Sequence, residues 1–216
     1  MLKPHLPEDF QKRLRANFKQ WEQTGLSLAK QGWSIPMSLE PRDVYGLLEK
    51  CATSEEVDAA FVRLYEADSR AVFESTASSL LACDPAVAWR PLLEQTFSAY
   101  RHDHYLVAIP ALLVACEGVL ATDAGNKVNM KRIVTKRVLE VEAKLPESLT
   151  ALECRVAQAF VEELYRDAPF TETRPEVLNR HWILHGRDAS DWTQADCLRL
   201  IQALWTFCCL LSGGPV

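Results

Sequence analysis

The chain has 216 residues and a mass of 24.4 kDa, a length that fits one domain, at most with an appended helical region. With 48% hydrophobic and 25% charged residues, it can bury roughly 70% of its unfolded surface and needs neither a disulfide nor a metal to fold. A net charge of -5 weighs against a protein that coats nucleic acid non-specifically, while leaving room for a local basic patch.

Helix signals recur along the chain, and no run alternates apolar and polar residues long enough for a strand. Glu8 to Lys30 is one amphipathic stretch, closed by Gly32 and the Pro36 turn. A short helix is predicted from Pro41 to about Lys50. Thr53-Ser54-Glu55-Glu56 has capping-box spacing and opens a helix to about Ala82, broken by Asp84-Pro85. Next come a helix from Pro91 to Tyr100 and a strongly apolar one from Tyr105 to Leu120, with Pro110 as a kink or restart. Lys127 to Lys144 and Thr150 to Arg166 are helical, the second ended by Asp167-Ala168-Pro169. Pro175 to His185 is predicted as a short helix stopped by Gly186, and Thr193 to Leu211 is the final one. The expected fold is all-α: a helical bundle over residues 86–212, preceded by an N-terminal helical region over 1–85.

The seven cysteines are Cys51, Cys83, Cys116, Cys154, Cys197, Cys208 and Cys209. None forms a C-x-x-C pair, and most sit in apolar runs, as small buried hydrophobes do. An odd count, and an N-terminus that turns polar too soon for a secretory peptide, point to a reducing, cytoplasmic setting. Tyr105 to Thr122 tempts a membrane reading, yet it carries Pro110, Glu117 and Gly118. A buried core helix is expected there, with no membrane contact.

The chemistry concentrates in Asn179-Arg180-His181-Trp182-Ile183-Leu184-His185-Gly186. On a continuous helix, Val177, Ile183 and Leu184 surround Arg180, placing a guanidinium amid an apolar arc. Either it has a buried partner, for which Glu176 four residues earlier is the local candidate, or that face lines a cleft or a subunit interface. His185, near the helix end, reads as a cap meeting the helix dipole or as an acid/base group.

An Arg, a polar residue and a following His on the penultimate helix of an all-α bundle resemble the HEPN superfamily. Its Arg-x(4–6)-His signature is matched by Arg180-x4-His185, with His181 as the polar residue. Arg174-x6-His181 also fits the spacing, but Pro175 follows that arginine. The run from Tyr100 to Gly118 is similar to the first core helix of bacterial relatives, some linked to phage defence, and the resemblance covers residues 86–212. It implies a homodimeric, metal-independent endoribonuclease without cofactor, acting on RNA, of the kind found in defence or toxin–antitoxin systems with an inhibitory protein partner. His185 would be the acid/base and Arg180 the phosphate clamp, supported by Asn179 and His181. Glu117 is the one charged residue between Tyr105 and Thr122. By resemblance it orients Arg180 or His185; as a plain salt bridge it would meet Arg155 or Arg199. The alternative reading is a non-catalytic HEPN-like bundle that binds a protein or a nucleotide.

Lys127, Lys131, Arg132, Lys136 and Arg137 give five basic residues in eleven positions without an acid, read either as an RNA-backbone surface or as a solvated helix face. His181 and His185 have metal-ligand spacing, but the zincin pattern would need Glu where Trp182 stands, so no metal is expected. No P-loop, Rossmann glycine pattern or G-x-S-x-G elbow is present.

Overall fold

The computed structural model describes residues 8–35, 39–122, 129–146, 148–188 and 191–212. Among them every regular element is helical and there is no strand, so the fold is an all-α bundle. In chain order the helices are α1 (Glu8–Lys30), α2 (Pro41–Leu48), α3 (Ser54–Ala82), α4 (Arg90–Arg101), α5 (Tyr105–Ala121), α6 (Met130–Lys144), α7 (Leu149–Leu164), α8 (Arg180–Leu184) and α9 (Gln194–Ser212), with a 3-10 turn at Asp84–Trp89.

Local chemistry sets most of these boundaries. After α1, Gly32 adopts a φ of +81°, which lets its N–H reach the Ala29 carbonyl at 3.0 Å and that of Trp33 reach Leu28 at 3.0 Å. At the start of α3 the Thr53 hydroxyl accepts from the Glu56 N–H at 3.3 Å, while the Glu56 carboxylate takes the Thr53 N–H at 3.3 Å. The expected helix from 54 to 82 is broken in its middle. Asp68, Ser69 and Arg70 hold φ values of 49°, 56° and 68°, a left-handed run without glycine. Contacts beyond the chain's own propensity hold that break. Arg70 pairs with Glu66 at 2.7 Å and donates to the Arg101 carbonyl at 3.1 Å, and Glu66 accepts the Tyr100 hydroxyl at 2.6 Å. Pro110 neither breaks nor restarts α5. Its missing N–H would have bonded to Leu106, which lies on the exposed side of the helix.

α5 and α9 pack along each other at the centre, with α4 against α5, α3 against α9, and both α1 and α6 against α7. α1 approaches α7 closely because Gly25 has no side chain: a Cβ there would lie 2.6 Å from Val156. The apolar core is continuous across residue 85, joining Trp33 and Phe61 to Leu112, Phe160 and Phe207. All seven cysteines are free thiols, and five are buried. α9 is long and apolar enough to cross a membrane by length and composition, yet most of it is enclosed by the other helices.

A polar seam ties α9 to the N-terminal helices. Gln202 donates to the Ser34 carbonyl and accepts the Tyr65 hydroxyl at 3.0 Å, and the Thr206 hydroxyl lies 3.2 Å from that of Ser34. One turn earlier, Arg199 bonds Asp196 and Asp58 at 2.6 Å each and lies over the Trp33 ring, whose indole N–H also donates to Asp58 at 2.8 Å.

Candidate functional site

α8 is shorter than the sequence predicts. Residues 175–178 are not helical, and the helix begins at Arg180. The cause is Asn179, whose side chain accepts the Trp182 N–H at 3.2 Å and so fixes the N-cap there. Its amide also donates to the Arg166 carbonyl at 2.9 Å, which ties the cap to the end of α7. Glu176 therefore does not lie one helical turn before Arg180, and the expected local pair is absent. Trp182 and Ile183 are buried and anchor the helix, the indole N–H donating to the Ala168 carbonyl at 2.9 Å. Gly186, with φ +66°, closes it.

Arg180 instead reaches across the bundle to Glu117 on α5. Its Nε donates to one carboxylate oxygen and its Nη2 to the other at 3.1 Å, a two-pronged pair with side chains 29% and 24% exposed. The hydrogen bond to Glu117 pushes the Arg180 guanidinium further up from its ordinary value. The other partners anticipated for Glu117 are engaged elsewhere: Arg155 with Glu22 and Glu142, Arg199 with Asp58 and Asp196. The pair opens into a cavity of about 340 Å³, also lined by Asn129, Met130, Lys131 and Tyr165. The Tyr165 hydroxyl is buried without a hydrogen-bond partner among the described residues, and burial pushes it well above its ordinary pKa, with Cys116 and Glu117 adding to the rise.

Neither His181 nor His185 is among the residues that line this cavity. His185 is exposed, and its ring centroid lies 4.5 Å from that of His181. Phe170 stacks on His181 at 4.7 Å with an interplanar angle of 6°, lies 5.9 Å from His185, and has the Arg187 guanidinium 5.1 Å from its centroid. Arg174, the rival arginine of the motif, bonds Asp188 at 2.6 Å, and Asp188 also accepts the Trp192 indole at 3.1 Å.

The basic residues of α6 separate into distinct roles. Lys127 lies outside the described residues. Lys131 faces the Arg180 cavity, and Arg132 is exposed. Lys136 is exposed and lies 3.8 Å from Glu140. Arg137 turns inward, donating to the Leu210 carbonyl at 2.7 Å and to Glu140 at 2.8 Å. Sequence reasoning missed Phe170, Arg187 and Tyr165. Phe170 stands alone in a polar loop and Tyr165 follows the end of α7, so no periodicity marks either. No known protein family, curated protein or solved structure matches this chain.

Proposed function

We propose that the chain is a HEPN-like, metal-independent endoribonuclease that acts in the cytoplasm as a homodimer with a composite Arg180/His185 site. The observation that carries this reading is the two-pronged Arg180–Glu117 bridge between α5 and α8, with His185 exposed five residues on from Arg180. Glu117 fixes the arginine's orientation, and the Nη1 edge of the fork makes no hydrogen bond among the described residues. That edge remains for a phosphate oxygen, where a guanidinium offsets the charge developing on phosphorus. An imidazole takes the proton of a ribose 2'-hydroxyl as that oxygen bonds phosphorus, and a second one protonates the departing 5'-oxygen. The products are a 2',3'-cyclic phosphate and a 5'-hydroxyl. Two protomers supply the two imidazoles.

Leu106, Val107 and Val114, exposed on α5 ahead of Glu117, offer an apolar strip for the second protomer. Lys131 and Arg132 stand ready for the RNA backbone, and an inhibitory protein would cover the same face. A role in phage defence or a toxin–antitoxin pair belongs to this proposal. A second reading is favoured by the charge balance of Arg180: paired with Glu117, it also suits a non-catalytic bundle that binds a protein or nucleotide.

The test is RNA cleavage by purified protein in excess EDTA, beside His185→Ala, Arg180→Ala and Arg180→Lys. Cyclic-phosphate ends formed by wild type, and lost about a hundredfold or more in the alanine variants, support the nuclease. Intact RNA with wild type and all variants supports the binding module.

A further inference from the structure

A groove of about 790 Å³ lies far along the chain from this site, between α2 and the first half of α3. Three observations point to a ligand. First, Gly46 sits inside α2, where glycine costs about 1 kcal/mol relative to alanine. The usual structural reasons for a helical glycine are missing: its φ is not positive, and a Cβ added there meets nothing within 4 Å. What the glycine does is leave the groove floor bare.

Second, the groove carries uncompensated positive charge. Its acids are already engaged: Asp43 lies 3.5 Å from Arg42, and Glu56 accepts the N–H groups of Ala52 at 2.6 Å and Thr53 at 3.3 Å. Lys50 and Arg63 line the same groove from opposite helices, and neither side chain has a carboxylate or hydrogen-bond partner among the described residues. Third, Leu47 and Leu64 add apolar surface to the lining of the same groove. The volume falls in the range of small-molecule sites, roughly 300–1,000 Å³.

We infer that the α2–α3 groove binds a small organic phosphate, its phosphate held between Lys50 and Arg63 and its body lying over Gly46 against Leu47 and Leu64. Arg63 offers the fork that matches phosphate oxygens, and Lys50 adds a point charge. The inference is independent of the nuclease reading, since it shares no residue with the Arg180 site.

The experiment is a thermal-unfolding titration of the full chain with AMP, phenyl phosphate and inorganic phosphate. It is repeated on the double variant Lys50→Glu/Arg63→Glu and on Gly46→Leu. Leucine is the better helix former, so Gly46→Leu keeps α2 intact while filling the groove, and its ligand-free Tm confirms folding. The expected result is a saturable rise of about 5 °C with AMP or phenyl phosphate at a hundredfold excess over Kd, lost in both variants. Three outcomes each overturn the inference: neither organic phosphate moves Tm, inorganic phosphate alone matches them, or Gly46→Leu responds like wild type.

Discussion

Glu153 predicts how stability varies with pH. It lies on α7, 9% exposed, and has neither a basic partner nor a hydrogen bond among the described residues. Burial pushes its carboxyl from an ordinary 4.5 up to about 7. Its charge in turn adds to the burial that raises the Tyr45 hydroxyl, whose oxygen is buried without a partner among the described residues. A rise of that size corresponds to a penalty of about 3 kcal/mol on the charged form in the folded state. The sign follows from the folded value standing above the unfolded one. Below pH 4.5 the group is neutral in both states and costs nothing. As pH rises towards 7 the unfolded chain ionises and the folded one resists, so stability is lost through that window, and above it the whole penalty is present. Glu153→Gln removes the titration while keeping shape and polarity. Paired urea unfolding of wild type and variant is expected to show a difference below about 1 kcal/mol at pH 5, growing to about 3 kcal/mol in the variant's favour at pH 8.5. A difference that stays constant across that range would refute the reasoning, because a packing change carries no pH dependence.

Four further substitutions test other parts of the molecule. A Cβ at Gly118 would lie 1.9 to 2.4 Å from the Trp89 ring, so Gly118→Ala should cost about 1–3 kcal/mol and move the Trp89 fluorescence. Asp58→Ala strips one partner from Arg199, whose side chain is 10% exposed, and the only partner that the Trp33 indole has among the described residues, with an expected loss of about 3 kcal/mol in denaturant unfolding. Ser69→Gly relieves the middle residue of the left-handed run in α3 and should stabilise by about 1 kcal/mol; no gain in Tm would show that the break is not strained. Glu117→Gln keeps an acceptor for Arg180 but removes its counter-charge, so a loss of about 1–2 kcal/mol is expected, and any RNA cleavage should fall with it.

What could be read from the sequence was what short-range chemistry decides. The Thr53/Glu56 box, the glycine at 32 and the glycine at 186 each act within a turn of the helix they bound, and all three formed. The Arg180–Glu117 contact joins residues 63 positions apart. Periodicity could show only that each was a charge on an apolar helix; the family resemblance offered Arg180 or His185 as a partner for Glu117, beside Arg155 and Arg199, and did not choose among them. The break in α3 was invisible because Tyr100 and Arg101 on α4 hold Glu66 and Arg70 in place from outside the segment, with no glycine or proline to announce it. The start of α8 was within reach, since Asn179 stands three residues before Trp182 as an N-cap does, but the apolar pattern running back to Val177 outweighed it.

The seam of Ser34, Tyr65, Gln202 and Thr206 bears on how one arrangement is selected. A helix as apolar around its circumference as α9 has no azimuth that hydrophobic burial alone prefers, because rotating it by one residue trades one greasy face for another. Amide and hydroxyl groups change that: any rotation or one-turn slide strands Gln202 and the Tyr65 hydroxyl in a dry interior. Together with the Asp196–Arg199 pair one turn earlier, these contacts act as a key cut into an otherwise apolar cylinder. Replacing Gln202 and Thr206 with leucine and valine would thus test uniqueness rather than depth of folding, with broadened amide resonances for α5 and α9 as the sign that the cylinder has begun to turn.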